Sequence, residues 1–162
     1  MNKPSNRYSP LLWAALLLTL ALSGCGEGGA GAASDGAGGL IPWQTQFTLA
    51  QQQARTQHKP LFLDFGADWC PPCQEMKKHV FTNPRVASLI AHRFIPVRVD
   101  LTDNQAPGVI ALAQRFHINP IPALIVVDAQ GREIARQEGY LDPRDLVAWL
   151  QQYAPPATQP AS

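Results

Sequence analysis

The sequence predicts an α/β domain built on a four-stranded mixed sheet with helices on both faces. Three observations lead there. Segments with helical and strand patterns follow one another as helix, strand, helix, helix, strand, helix, strand, strand, helix. The runs Leu61–Phe65 and Ala123–Val127 are apolar almost throughout, as strands covered on both faces are. Asp128-Ala129-Gln130-Gly131 then turns the second run back into an alternating segment, which signals a hairpin. A β-α-β unit followed by a hairpin and a last helix makes such a sheet, and the helices can cover both faces.

The chain has 162 residues, but not all of it reads as domain. Met1–Pro10 is polar and carries Lys3 and Arg7, and Leu11–Leu22 is nearly all apolar. That core is short for a bilayer span and right for a signal peptide, so residues 1–24 are expected to be a leader. Residues 25–39 are mostly Gly, Ala and Ser and offer no apolar face. They are expected to form a flexible tether with a reach on the order of 20 Å. The folded domain is expected over residues 40–153, and the Pro/Ala-rich residues 154–162 are expected to be a disordered tail.

Within the domain, Ile41-Pro42-Trp43 opens the folded part. A helix is expected from Phe47 to about Gln57, with Thr48 and Gln51 as a capping box and Leu49, Ala50, Gln53 and Ala54 as its apolar stripe. Lys59-Pro60 stops it. Leu61–Gly66 is a buried strand with one odd member, Asp64. From Pro71 the chain reads as a helix with Met76, Val80 and Phe81 inward. Asn83 caps the next helix, which has Pro84 at its first position and Val86, Leu89 and Ile90 inward. Phe94–Asp100 is a strand with Ile95, Val97 and Val99 on one face. Val109–Phe116 is a helix using Ile110, Leu112, Ala113 and Phe116. Arg132–Glu138 is expected at the sheet edge, and Asp142-Pro143 starts a last helix with Leu146, Val147, Trp149 and Leu150 inward.

The formal charge is +1, from 13 bases against 12 acids. Loss of the leader removes Lys3 and Arg7 and no acid, so the mature chain is close to neutral. The bases are scattered, and no nucleic-acid partner is expected. The four histidines, His58, His79, His92 and His117, read as surface or helix-end residues.

The chemistry concentrates in Asp64-Phe65-Gly66-Ala67-Asp68-Trp69-Cys70-Pro71-Pro72-Cys73. A buried strand here delivers a Cys-x-x-Cys to a helix start. The unpaired N–H groups and partial positive charge of a helix N-terminus favour a thiolate. Two intervening residues in a first helical turn bring the sulfurs within bonding distance. No cofactor or metal is expected: no second cysteine pair completes a zinc site, and Gln74 stands where haem attachment needs a histidine. A carboxylate beneath the pair, Asp64, could take and return the Cys73 proton.

Leu22-Ser23-Gly24-Cys25, at the end of the apolar core, resembles the lipobox of bacterial lipoproteins. The resemblance implies acylation of Cys25, cleavage before it, and a lipid anchor on the periplasmic face of a membrane. Gly26 rather than Asp after the cysteine favours the outer membrane. The domain resembles the thioredoxin fold. The nearer likeness is to the C-terminal periplasmic domain of DsbD-type thiol:disulfide interchange proteins. It rests on Lys59–Phe65, Ala67–Cys73, Met76-Lys77-Lys78, Phe81–Val86, Ile121–Leu124 and Asp128–Gly131. This implies Cys70 as exposed nucleophile, Cys73 as buried resolving thiol and Asp64 as buried acid. It also implies Pro122 as the cis-proline facing the disulfide, with Ile121 and Trp69 in the substrate groove. Many thioredoxins place a lysine on the neighbouring strand near the buried acid. Here Arg98 is the only base on that strand, and the proton partner of Asp64 stays open.

These features give an expected function: a monomeric, membrane-tethered periplasmic oxidoreductase that reduces protein disulfides and is recharged by a DsbD-type membrane electron donor. Two other readings remain open at this point, a thiol oxidant and a non-catalytic module that holds a partner in the same groove.

Overall fold

The computed structural model describes residues 40–103 and 106–156. The expected leader, the whole tether with Cys25 and Gly26, and most of the tail lie outside the described residues. The elements follow the expected order: α1 (Phe47–Gln57), β1 (Leu61–Gly66), α2 (Pro71–Glu75) continued by a π turn (Met76–Val80), α3 (Pro84–Arg93), β2 (Ile95–Asp100), α4 (Pro107–Arg115), β3 (Ala123–Val127), β4 (Glu133–Glu138) and α5 (Pro143–Gln151). Among the described residues, no helix is long and apolar enough to cross a membrane.

The sheet runs β2-β1-β3-β4. β1 is parallel to β2 and antiparallel to β3, and β3 is antiparallel to β4. The two continuous apolar runs, β1 and β3, are the central strands, with Leu61–Phe65 and Ala123–Val127 buried throughout. β4 lies at one edge, as expected, but its burial does not alternate: Glu133, Ile134 and Glu138 are exposed and Ala135, Arg136 and Gln137 are part-buried. The edge beyond β2 is lined by Gln44, whose N–H donates to Pro96 O at 3.0 Å and whose carbonyl accepts from Arg98 N–H at 2.8 Å.

Side chains alternate across a strand, so each strand feeds two cores. Leu61, Leu63 and Phe65 join Ile95, Val97, Val99, Ala123, Ile125 and Val127 beneath α1 and α4. Phe62 joins Leu124, Val126 and Phe94 beneath the π turn, α3 and α5, with Met76, Val80, Val86, Ile90, Leu146 and Leu150. Asp64 has the parity of Phe62 and belongs to this second face.

Helix ends mostly follow their chemistry. The Asn83 side chain accepts from Arg85 N–H and Val86 N–H, and that of Asp142 accepts from Asp145 N–H. The Asp128 side chain accepts from Gln130 N–H and Arg132 N–H, which closes the hairpin turn. Three details differ from expectation. Thr48 is not a cap: Gln46 holds that position without a side-chain bond, and Thr48 lies inside the first turn. Leu49 is 45% exposed and Ile110 is 37% exposed. Each neighbours the residue that meets the sheet, Ala50 and Val109, and one residue along a helix is a rotation of about 100°. The helix after the cysteines also does not stay α. Phe81 N–H donates to Met76 O at 2.9 Å, five residues back, which widens the last turn.

Candidate active site

β1 ends at Gly66, and Ala67-Asp68-Trp69 turns the chain so that Cys70 becomes the N-cap of α2. Its backbone is extended, with φ −96° and ψ 107°. Pro71 and Pro72 fill the first two helical positions, where an N–H would have no helical partner. The first free N–H of the helix is therefore that of Cys73. It donates to Cys70 Sγ at 3.4 Å. The two cysteines form a disulfide with Cα atoms 5.3 Å apart. The double proline thus leaves the leading N–H aimed at one sulfur, and a thiolate at Cys70 would receive both that N–H and the helix dipole.

Exposure runs opposite to expectation. Cys70, expected exposed, is 4% exposed and packs with Ala67 and Ile121, while Cys73, expected buried, is half-buried. The cause is the other side of the site. Cys70 Sγ lies 3.9 Å from Ile121 O, so the loop before β3 closes over it. The Ile121–Pro122 bond is cis, as the resemblance implied, and so is Asn119–Pro120, which nothing in the sequence had marked out. Pro122 O accepts from Gly139 N–H at 2.9 Å, joining this loop to the end of β4. Trp69 is 62% exposed and Tyr140 48% exposed. Trp69 is thus a surface residue next to Cys70 in sequence, as the groove assignment requires, and not a core residue.

On the far side of β1, Gly66 lies against Cys73. A Cβ at Gly66 would stand 3.4 Å from Cys73 Cβ and 3.5 Å from its Sγ. Asp64, one turn of the pleat back on the same face, is 5% exposed. Asp64 and Cys73 both open onto one cleft of about 780 Å³, whose walls include Trp43, Lys77, Phe81 and Arg98. Burial pushes the Asp64 carboxyl above its ordinary range. The Arg98 charge and hydrogen bond oppose that shift, Asp100 adds to it, and Lys77 opposes it. Arg98 Nη2 donates to Asp64 Oδ2 at 2.6 Å. Arg98 is thus the ion-pair partner of the buried acid. Asp68 is exposed, accepts from the Gln74 side chain at 3.1 Å, and lies 3.8 Å from Lys77.

The sequence names Arg98 as the only base on its strand without pairing it to Asp64, and does not place Trp43 or Phe81 in this site. A signal was available for Arg98. Asp64 pairs in parallel register with Arg98, so counting alternate residues along both strands places the two on the same face. Trp43 and Phe81 carry no such signal: Trp43 reads only as part of the segment that opens the folded part, and Phe81 as an inward helix residue.

The family model for a thioredoxin-like domain matches residues 47–154. The thiol:disulfide interchange protein DsbD of Salmonella typhi is 35% identical over 109 residues, which are 66% of this chain and 19% of that protein. DsbD of Haemophilus ducreyi is 34% identical over 104 residues, 63% of this chain and 18% of that protein. The chain therefore spans about a fifth of the length of the curated relatives it matches. Among solved structures, the C-terminal domain of Neisseria meningitidis DsbD in its oxidised form superposes with a TM-score of 0.58 at 25% identity, covering 65% of this chain and 90% of that one. The reduced form of that domain gives a TM-score of 0.57 at 28% identity, covering 65% and 92%.

Proposed function

This chain belongs to the thioredoxin-like domain family, and from that membership we propose that it is a thiol:disulfide oxidoreductase that reduces protein disulfides through Cys70 and Cys73. The observation that carries the reading is the Cys70–Cys73 pair at the start of α2, with the first free helical N–H directed at Cys70 Sγ.

The chemistry balances as a two-electron exchange. Cys70 thiolate attacks one sulfur of a client disulfide and forms a mixed disulfide, and the other client sulfur leaves as a thiolate. Cys73 gives its proton to Asp64 and attacks Cys70 Sγ. The client's second sulfur leaves, takes a proton, and the Cys70–Cys73 disulfide remains. A buried carboxyl held above its ordinary range suits this proton traffic, because it can both accept and return. Trp69, Ile121 and Pro122 frame the approach to Cys70 and are assigned to the client groove.

The cellular setting is part of the proposal. The lipobox-like Leu22–Cys25 supports a lipid anchor on the periplasmic face, and Gly26 supports the outer membrane. Acylation of Cys25 would leave a single dithiol in the chain. A reductase in an oxidising compartment needs electrons from outside its own solution. Likeness to DsbD supports a DsbD-type membrane donor that re-reduces the pair. The monomer is the assembly proposed.

The oxidant reading keeps one observation in its favour, since the Cys73 N–H on Cys70 Sγ stabilises a thiolate and hence the reduced form. The Cys70–Cys73 potential decides: a value near that of thioredoxin, about −270 mV, supports reduction, and one near that of DsbA, about −120 mV, contradicts it. Reduction of insulin disulfides by the domain with a supplied reductant tests the activity itself.

A further inference from the structure

We propose that the cleft beside Cys73 is the entrance for a low-molecular-weight thiol that re-reduces the Cys70–Cys73 disulfide by attacking Cys73 Sγ, while protein clients are served by Cys70 from the other side. The inference rests on the reading of this pair as the working dithiol, and it adds a second source of electrons to the membrane donor.

The two cysteines meet different surroundings. Cys70 is 4% exposed, and its Sγ lies 3.9 Å from Ile121 O. A neutral client disulfide can approach that carbonyl, but the negative end of its dipole repels an incoming thiolate. Cys73 is half-buried and lines the cleft of about 780 Å³, and Cys70 is not among the residues lining it. Gly66 lines the same cleft. Its missing side chain leaves room against the sulfur, since a Cβ there would stand 3.5 Å from Cys73 Sγ. A concave site of this volume is of the size that takes a small molecule.

The charges of the cleft favour the same route. Arg98 is taken up by Asp64 at 2.6 Å and by the rings of Trp43 and Phe81, whose centroids lie 4.9 Å and 5.6 Å from its Cζ. Lys77 lies 3.8 Å from Asp68, and Asp100 accepts from Thr102 N–H at 2.8 Å. Lys78 also lines the cleft and has no ion pair among the described residues. Its ammonium is the charge left to draw a thiolate in. Trp43 and Phe81 meet edge to face at 5.2 Å and offer an apolar wall to the carbon atoms of the thiol's carrier.

The leaving group points the same way. A disulfide exchanges faster when the departing sulfur is the better thiolate. Attack at Cys73 expels Cys70, whose Sγ receives the Cys73 N–H at 3.4 Å at the start of α2. Attack at Cys70 would expel Cys73, whose sulfur receives no such bond among the described residues. The exchange balances in two steps. A thiolate bonds to Cys73 Sγ, the Cys70–Cys73 bond breaks, and its electron pair leaves on Cys70. A second thiolate attacks the carrier's sulfur in this mixed disulfide, the carrier departs as its own disulfide, and Cys73 leaves as a thiolate and takes a proton. Two thiols are oxidised, and the protein disulfide is reduced to a dithiol.

The test mixes the oxidised full chain with mercaptoethanol, quenches it at early times with N-ethylmaleimide, and maps both labels by mass spectrometry. The expected intermediate carries mercaptoethanol on Cys73 and maleimide on Cys70, in roughly tenfold excess over the reverse arrangement. Two variants narrow the cleft: Gly66→Ala, and Thr82→Trp at an exposed residue that lines it. Each should slow reduction of the protein disulfide by mercaptoethanol by about fivefold or more, because exchange depends on access to the sulfur. The rate at which each pre-reduced variant reduces insulin disulfides is measured alongside, and it should fall by less. An even or reversed distribution of the labels overturns the proposal. So do wild-type rates with mercaptoethanol in both variants, or equal slowing of the two half-reactions in both. If the wild type reduces no insulin disulfide, it is the reading of the pair as the working dithiol that fails.

Discussion

Replacing Arg98 with Met should destabilise the domain in a way that depends on pH. Met keeps an unbranched apolar side chain between Trp43 and Phe81, so the change isolates the charge. The pair is largely buried, with Arg98 and Asp64 side chains 21% and 7% exposed. Removing one partner of a buried pair costs about 3–5 kcal/mol, and the partial exposure of Arg98 places the expected loss near the lower end, about 3 kcal/mol. For a domain of this size that is a fall in melting midpoint of about 10 °C. The pH window follows from the direction of the Asp64 shift. Burial holds its folded-state carboxyl above the ordinary carboxylate range, so the acid's favourable contribution is fully present below the unfolded value and is lost as pH rises through the folded one. Without Arg98 the folded value rises further, and the loss deepens and extends to higher pH. Urea unfolding at about pH 4 and about pH 8 reads this directly. The expected deficit is smaller at the lower pH, because protonation of Asp64 removes the charge that Arg98 pairs with, and near its full size at the higher. A deficit equal at both, or one below about 1 kcal/mol at the higher, refutes the reasoning.

Other outcomes follow from the same geometry. Ile90 is 0% exposed beneath α3, so Ile90→Ala should cost about 3 kcal/mol in denaturant titration. Gly66→Ala meets Cys73 at ordinary contact distances, so the protein should fold with stability within about 1 kcal/mol of wild type. Its methyl should nonetheless screen the sulfur, slowing iodoacetamide labelling of Cys73 in a Cys70→Ser background. Trp69 is 62% exposed, so Trp69→Ala should change stability by less than about 0.5 kcal/mol while raising KM for a protein disulfide substrate.

The fold was readable because its signals are local and redundant. Two apolar runs, an Asp-Ala-Gln-Gly turn and proline at the first position of α2, α3 and α5 all agree with one topology. What escaped were rotations and distances. Leu49 and Ile110 satisfy a helical period, but the sheet meets α1 through Ala50 and Ala54, small residues that let the helix come close and turn Leu49 outward. The dithiol was legible, whereas the relative exposure of its sulfurs was not. Cys70 is covered by Ile121, fifty-one residues away, and no local pattern encodes that approach. Arg98 lay within reach of strand parity. The grip of Trp43 and Phe81 on it did not, since it joins three segments that meet only through the sheet edge and the widened turn after α2.

The most direct test of the account separates the two cysteines by trapping. Reduced Cys73→Ser and reduced Cys70→Ser forms are each mixed with a disulfide-bonded protein substrate, and the adducts are mapped by mass spectrometry. The account predicts a stable mixed disulfide on Cys70 in the first form and little or none on Cys73 in the second, because the helix N–H favours the Cys70 thiolate. Equal or preferential trapping through Cys73, the more exposed residue of the pair here, would contradict it.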